Sequence, residues 1–196
     1  GKTTLAKLLL GKRQVDRGSI FLGEKEIKSL SKSTIYQEVM YVSANSVLLN
    51  ASIIENLQLA VDWSRGEIEG WLAENGVLAF VRDLPQGLDT LVGENGSQLS
   101  PGQRQQIICV RAILAKRSLY LFDEVTSSVD KDNEAAIYDL LTLVAQDALV
   151  IEITHKMKQV AKASQVLFIG KETTVWGTPT EVYEQSEEYR QLANTQ

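Results

Sequence analysis

The stretch Leu119-Tyr120-Leu121-Phe122-Asp123-Glu124 places four apolar residues directly before two carboxylates. A short apolar run of this kind predicts a buried β-strand. The two acids then emerge at the carboxyl end of that strand, where ligand crevices of open α/β sheets lie. We expect Asp123 to hold Mg²⁺, directly or through water, and Glu124 to polarise an attacking water molecule. The alternative is a solvated strand end that carries two acids.

A second indication lies in Gly1-Lys2-Thr3-Thr4, which matches the end of the phosphate-binding pattern G-x-x-x-x-G-K-[ST]. We expect a helix over residues 2–10, stopped by Gly11, whose first turn offers backbone N–H groups and a positive dipole end. Lys2 would reach the β and γ phosphates, and the Thr3 hydroxyl would ligate Mg²⁺. An ordinary helix start is the alternative. Because the first half of the pattern is missing, we expect that the sequence begins inside its own phosphate loop.

The pentapeptide Leu99-Ser100-Pro101-Gly102-Gln103 has the features of a helix start. Ser100 suits the N-cap, Pro101 suits the first helical position, and Gln103 completes a capping box. The exposed N–H groups and the Ser100 hydroxyl could also bind a phosphate. One chain needs no second phosphate-binding helix end for one nucleotide, unless this one serves a nucleotide held by another copy.

His155 is the only histidine of the chain, and it follows a predicted apolar strand at residues 149–153. An imidazole at a strand's carboxyl end could donate a hydrogen bond to a γ-phosphate. A structural histidine is the alternative. We expect Asp123, Glu124 and His155 to share one sheet edge.

Composition narrows the class of protein. The chain has 196 residues and is 44% hydrophobic, which suits one globular domain with a substantial core. Its net charge of −5 argues against a nucleic-acid partner. The single cysteine, Cys109, cannot form an internal disulfide, which fits a reducing compartment. There is no run of 18 apolar residues that could span a bilayer.

The pattern of predicted elements indicates an α/β fold. Strands alternate with helices at both ends of the chain, whereas the middle is mostly helical, with capping boxes that begin at Ser52 and Ser64. We expect a short strand over residues 17–23, a helical continuation at residues 77–81, a long loop over residues 84–98 and one closing helix over residues 180–192. The sequence therefore predicts an α/β core with a helical insertion.

Taken together, these motifs make the chain resemble the nucleotide-binding domain of ATP-binding cassette (ABC) transporters over essentially its whole length. Residues 1–4 look like the end of Walker A, residues 99–103 like the LSGGQ signature, and residues 119–124 like Walker B with its catalytic glutamate. Residues 127–130 are similar to the D-loop, and His155 to the switch histidine. The loop at residues 90–96 is similar to the one that precedes the signature in exporters.

The resemblance implies a P-loop NTPase with a RecA-like core sheet and an inserted helical subdomain. The core would comprise residues 1–51 and 117–196, and the helical subdomain residues 52–116. The implied ligands are ATP and Mg²⁺, the latter held by Thr3 and Asp123. The implied catalytic residues are Glu124 and His155, and the implied nucleotide-binding residues are Gly1, Lys2, Thr3, Thr4, Ser100, Gly102, Gln103, Asp123 and Asp130.

The resemblance also implies partners. Two such domains of the family sandwich two ATP molecules head to tail, which would account for the second phosphate-binding helix end. A transmembrane domain, expected on the same longer polypeptide, would hold this domain at the cytoplasmic face of a membrane. The expected function is hydrolysis of ATP to power the export of an unknown substrate.

Two positions depart from the family's pattern. Ala44 stands where the Q-loop has a glutamine that contacts Mg²⁺ and the attacking water, and alanine's side chain has neither donor nor acceptor. Pro101 replaces a glycine of the signature and lacks an N–H group. Ala44 motivates an alternative, a degenerate and poorly hydrolytic partner in a heterodimer. A soluble ABC ATPase that acts on DNA or ribosomes and an import-type domain are two others, which the loop at residues 90–96 argues against.

Overall fold

The computed structural model describes residues 1–171 and 173–195. Packing divides the chain into two compact units, one formed by residues 1–28 and 152–196 and the other by residues 29–151. Among the described residues, no helix has both the length and the apolar character needed to cross a bilayer.

Strands and helices alternate along the chain, as an α/β fold requires. The strands are β1 (Phe21–Leu22), β2 (Lys25–Glu26), β3 (Val39–Ser43), β4 (Leu119–Asp123), β5 (Leu149–Ile153), β6 (Val166–Ile169) and β7 (Thr174–Gly177). The α-helices are α1 (Lys2–Leu9), α2 (Lys32–Glu38), α3 (Ile53–Gln58), α4 (Arg65–Asn75), α5 (Pro101–Leu114), α6 (Lys131–Val144), α7 (Met157–Val160), α8 (Pro179–Gln185) and α9 (Glu187–Thr195).

The largest sheet has the strand order β3-β4-β5, and β3 and β4 are parallel. The central strand β4 is buried through its first four residues, and Leu121 and Phe122 have no exposed surface. Helices α3, α5 and α6 contribute most of the remaining apolar core of this unit. Because β3 and β4 are parallel, Ser43 and Asp123 are paired at their carboxyl ends. This register places the residues that follow the two strands side by side.

Local sequence signals determine the helix starts in residues 52–116. The capping boxes at Ser52, Ser64 and Ser100 are all formed, each with its glutamate or glutamine bonded back to the cap's backbone N–H. The segment between α3 and α5 adds an antiparallel bridge between Ser52 and Leu91. The division into a sheet core and a helical subdomain at residues 52–116 stays a prediction.

Several element boundaries differ from the sequence prediction. The predicted helical continuation at residues 77–81 is wrong, because Gly76 and Leu78 both adopt left-handed conformations and a 3-10 turn follows at Ala79–Asp83. The single closing helix is also wrong. Ser186 is buried and extended, with φ −122° and ψ 113°, and it separates α8 from α9.

The other unit consists of short elements around a small core. Hairpin β6–β7 packs with α8 and α9 around Val166, Val182 and Tyr189. The predicted strand over residues 17–23 is shorter than expected, since only Phe21–Leu22 pairs with β2. Helix α1 ends before Gly11, whose φ of +62° matches the predicted stop.

Candidate nucleotide-binding site

The carboxylate of Asp123 lies at the carboxyl end of β4 and is half-buried. Its Oδ2 accepts a hydrogen bond of 2.8 Å from the hydroxyl of Tyr41 on β3. Burial is the main cause that raises the pKa of Tyr41, and the bond to Asp123 is the second. The hydroxyl therefore remains a donor at neutral pH. The carboxylate is thereby held in one orientation at the edge of the sheet.

Glu124 follows Asp123 with a backbone φ of +51°, in the left-handed region. Non-glycine residues seldom adopt this conformation, and it costs roughly 1–2 kcal/mol. A turn supports it, because the backbone N–H of Ser127 donates to the carbonyl of Glu124 over 3.1 Å. Unfavourable backbone geometry of this kind is concentrated at functional sites, and here it presents the carboxylate to solvent beside Asp123.

Ala44 lies beside Asp123 at the same edge. Its backbone N–H donates to the carbonyl of Asp123 over 3.3 Å, and its own carbonyl accepts from Nη2 of Arg104 over 3.3 Å. Arg104 also reaches the carbonyl of Asn95. The departure from the family's glutamine therefore occurs in direct contact with the predicted Walker B residues.

The start of helix α5 has the geometry that the sequence predicts. Ser100 Oγ accepts from the backbone N–H of Gln103 over 3.1 Å, and Gln103 Oε1 accepts from the N–H of Ser100 over 3.0 Å. Since Pro101 has no N–H, Gly102 is the first residue of the helix that can donate from its backbone. The Gly102 N–H and the Ser100 hydroxyl are the donors that this helix end can offer to a phosphate.

Asp130 is the N-cap of helix α6. Its Oδ1 accepts from the backbone N–H groups of Asp132 and Asn133, at 3.1 and 3.0 Å, and its Oδ2 accepts from Nδ2 of Asn133 at 2.7 Å. The backbone and side-chain hydrogen bonds from Asn133 hold the pKa of Asp130 below its usual value. Asp130 is therefore a fixed, ionised cap at neutral pH.

Helix α1 begins with the predicted phosphate-binding residues. Gly1 is its N-cap, no side chain caps its first turn, and all of residues 1–4 are exposed. A Cβ at Gly1 would lie 2.9 Å from Cγ2 of Ile169, so the start of α1 packs closely against the end of β6. An uncapped helix N-terminus suits an anionic ligand.

His155 is exposed and follows the end of β5 by two residues. The neighbouring Thr154 accepts from the backbone N–H of Lys156 over 3.1 Å, which forms a tight turn at this point. His155 belongs to the same unit as residues 1–4, whereas Asp123 and Glu124 belong to the other unit. The shared edge of Asp123, Glu124 and His155 stays a prediction.

The residues that the structure brings together lie in the unit formed by residues 29–151. Asp123, Glu124 and Ala44 meet at the carboxyl ends of β3 and β4. Within the part of the chain that the structure describes, no three His, Cys, Asp or Glu side chains form a metal cage. An oriented carboxylate still fits Mg²⁺, which phosphoryl-transfer sites bind through one or two carboxylates together with substrate phosphates.

Sequence reasoning missed two residues of the site, Tyr41 and Asn133. Tyr41 lies within the apolar pattern of strand β3, and no motif marks its hydroxyl as functional. Asn133 lies in the first turn of an amphipathic helix, outside every motif. Tyr41 becomes part of the site through Asp123, which is distant in the sequence, and Asn133 through Gln106, also distant, and the nearby Asp130.

The sequence of the chain is similar to those of known proteins. A family model described as "ABC transporter" matches residues 1–127. ATP-dependent lipid A-core flippases of Photobacterium profundum and Vibrio cholerae are 34% and 32% identical to the whole of this chain. The chain spans about a third of those relatives' length, 34% in both cases.

A solved structure of a bacterial Atm1-family ABC exporter with ATP bound superposes with a TM-score of 0.88. It is 27% identical to this chain, and the match covers the whole chain and 35% of the exporter polypeptide. The predicted family and the predicted α/β P-loop fold are confirmed. The chain belongs to the ABC transporter family, and its fold is that of the family's ATPase domain.

Proposed function

We propose that this chain binds and hydrolyses ATP to drive export by an ABC transporter. The observation that supports it best is the pair of carboxylates at the end of β4. Asp123 is oriented by Tyr41, and Glu124 is presented in a left-handed conformation. Similarity to flippases and to an exporter supports the direction of transport, and it does not support the import-type or soluble alternatives.

The first turn of α1 binds the phosphates of the domain's own ATP in this proposal. The backbone N–H groups of residues 1–4 and the Lys2 ammonium contact the β and γ phosphates. The Thr3 hydroxyl and the Asp123 carboxylate are the hard oxygen donors that hold Mg²⁺. When bound, Mg²⁺ neutralises charge on the phosphoryl oxygens.

Glu124 accepts a hydrogen bond from the attacking water and aligns it with the γ-phosphorus. His155 donates to a γ-phosphate oxygen. Phosphoryl transfer needs positioning and charge stabilisation more than covalent chemistry, so two well-placed groups can account for much of the acceleration. The defined left-handed backbone conformation of Glu124 supports its role in positioning the attacking water.

A second copy completes the site. Ser100, Gly102 and Gln103 at the start of α5 bind the γ-phosphate held by the partner domain, and Asp130 lies at the interface between the two domains. Because the chain spans about a third of its relatives' length, we propose that it works within a longer polypeptide with a transmembrane domain, at the cytoplasmic face of a membrane. The relatives' names make a lipid the substrate class to test first.

Steady-state phosphate release by the full-length exporter tests this proposal. The Glu124→Gln variant keeps the side chain's size but loses its charge. We expect it to bind ATP and to lose at least about 100-fold in turnover, the lower end of what a general base contributes. An exposed Glu74→Gln variant is the matched control and should match the parent. Equal turnover in the parent and Glu124→Gln would overturn the assignment of Glu124.

A further inference from the structure

The side chain of Asn133 joins two helices at their starts. Its Nδ2 donates to Oδ2 of Asp130 over 2.7 Å, and its Oδ1 accepts from Nε2 of Gln106 on α5 over 2.6 Å. Gln106 is buried, with 7% of its surface exposed. Since the donor and the acceptor of the Asn133 amide are both engaged, its orientation is fixed.

Asn133 also packs directly on Gly102. A Cβ at Gly102 would lie 2.2 Å from Cγ and 2.6 Å from Nδ2 of Asn133, distances that real Cβ contacts do not show. Asn133 therefore occupies the space that a side chain at residue 102 would need. The first turns of α5 and α6 are in immediate contact, and α5 cannot shift along this interface without moving Asn133.

Asn133 thus contacts Asp130 and Gly102, residues that the proposed function assigns to the domain interface and to the partner's γ-phosphate. We propose, resting on that function, that Asn133 is a positioning residue that holds Asp130 in register with the start of α5. Binding of the partner's phosphate at Gly102 is then transmitted through the Asn133 amide to Asp130. Gln106 supports this link by fixing the opposite side of the amide.

An Asn133→Asp variant breaks one half of the link with almost no change in shape. The introduced carboxylate can still accept from Gln106, but it presents an oxygen to Asp130 where an N–H donor was. Two carboxylates whose oxygens lie as close together as Nδ2 of Asn133 and Oδ2 of Asp130 cannot both remain ionised without strong repulsion. The first turn of α6 also carries the acidic Asp132 and Glu134 and the basic Lys131, and the contacting residues of α5, Gly102 and Gln106, are uncharged.

Acidic pH should repair this variant. When the two carboxylates share one proton, an O–H···O bond replaces the lost N–H···O bond. A variant that only loosened the packing of α5 against α6 would not recover, because acid adds no packing contact. The pH dependence of the variant relative to the parent therefore separates positioning from a structural role.

The experiment measures ATP turnover of the full-length exporter against ATP concentration, between about pH 8 and about pH 5.5. We expect Asn133→Asp to lower kcat about tenfold at the alkaline end and to come within about twofold of the parent at the acidic end, with KM for ATP changed less. Asn194→Asp on the exposed face of α9 adds the same charge without losing a donor bond, and it should follow the parent throughout.

Equal kcat for Asn133→Asp and the parent at alkaline pH would overturn the inference, as would a loss that is the same at every pH. A parent that releases no phosphate would instead contradict the proposed function. In that case ATP-dependent association of the two domains is compared between the parent and Asn133→Asp, and equal association at alkaline pH overturns the inference as well.

Discussion

The hydroxyl of Tyr41 and Oδ2 of Asp123 are joined by a hydrogen bond of 2.8 Å across two parallel strands. In the register of β3 and β4, Tyr41 is opposite Leu121, so the bond reaches diagonally to the last residue of β4. This diagonal contact leaves the carboxylate at the edge of the sheet but removes its rotational freedom. Orientation of the proposed Mg²⁺ ligand therefore depends on the neighbouring strand.

Removing the Tyr41 hydroxyl should weaken the proposed magnesium site. A hydrogen bond to a partly exposed carboxylate contributes about 1 kcal/mol, so we expect Tyr41→Phe to raise the Mg²⁺ concentration for half-maximal turnover about fivefold. Magnesium titrations of ATP turnover measure this shift. Tyr36→Phe, at an exposed tyrosine of α2, is the matched control. An unchanged magnesium requirement in Tyr41→Phe would contradict a role for this bond.

Restoring a glutamine at residue 44 should raise turnover. The backbone N–H of Ala44 bonds to the carbonyl of Asp123, so a side chain at residue 44 starts next to the proposed catalytic carboxylates. We expect Ala44→Gln to increase kcat about tenfold, because an added amide can orient the attacking water. Ala44→Leu adds similar bulk without a polar group and should give no increase. No gain in Ala44→Gln would count against the degenerate-partner alternative.

The starts of α3, α4 and α5 were predictable because a capping box is a local signal. A serine and an acid or amide three residues later bond to each other's backbone, whatever packs above them. Helix α2 was missed because its N-cap, Ser31, is followed at the third position by Thr34, which cannot complete such a box. Helix α7 has four residues and no side-chain cap.

The strand at residues 119–123 and its two acids were also predictable. A short apolar run that ends in charged residues is typical of a buried strand in a globular fold. The bonds from Tyr41 to Asp123 and from Gln106 to Asn133 were not, since they join residues 82 and 27 positions apart. Such contacts depend on strand register and on helix packing, which periodicity does not specify. The break at Ser186 is different, because it has a local cause: Oγ of Ser186 accepts from the backbone N–H of Tyr189 over 3.2 Å and caps α9.

The left-handed conformation of Glu124 should reduce the stability of the fold. Asparagine tolerates this conformation better than glutamate or glutamine does. We therefore expect Glu124→Asn to have a free energy of unfolding about 1 kcal/mol higher than Glu124→Gln, while both variants lose turnover. Urea unfolding of the two variants measures this difference. A more stable Glu124→Gln would show that the backbone of residue 124 carries no such cost.

Asn56 should be essential to stability because its side chain is fully buried and its amide is bonded to backbone on both sides. Its Oδ1 accepts from the N–H of Leu49 over 2.9 Å, and its Nδ2 donates to the carbonyls of Leu49 and Ser52, both at 3.0 Å. Asn56→Leu leaves the Leu49 N–H without its acceptor, whereas the carbonyls of Leu49 and Ser52 keep backbone donors at Ala51 and at residue 56, so we expect the free energy of unfolding to fall by about 1–3 kcal/mol. Urea unfolding followed by tryptophan fluorescence measures the loss, with Asn194→Leu as an exposed control. A loss below about 1 kcal/mol would mean that water replaces the amide.

Acid should destabilise the protein through its capping boxes. Hydrogen bonds from Ser52 hold the pKa of Glu55 below its usual value of 4.5, and those from Ser64 do the same for Glu67. A carboxylate whose pKa is lowered by folding stabilises the folded state above its unfolded pKa, and this contribution is lost as the pH falls through the folded pKa. We therefore expect the melting temperature to decline from pH 4.5 downward.

Replacing both glutamates by glutamine tests this origin of the acid sensitivity. Glutamine can still accept the capping bonds, but it has no charge to lose, so the Glu55→Gln, Glu67→Gln double variant should show a shallower decline of melting temperature between about pH 5 and about pH 3. At neutral pH it should melt below the parent, because a neutral acceptor is weaker than a carboxylate. Glu24→Gln with Glu74→Gln, two exposed glutamates outside the capping boxes, should keep the parent's slope. If both double variants decline as steeply as the parent, the acid sensitivity originates in other carboxylates, such as Asp89 beside Arg65.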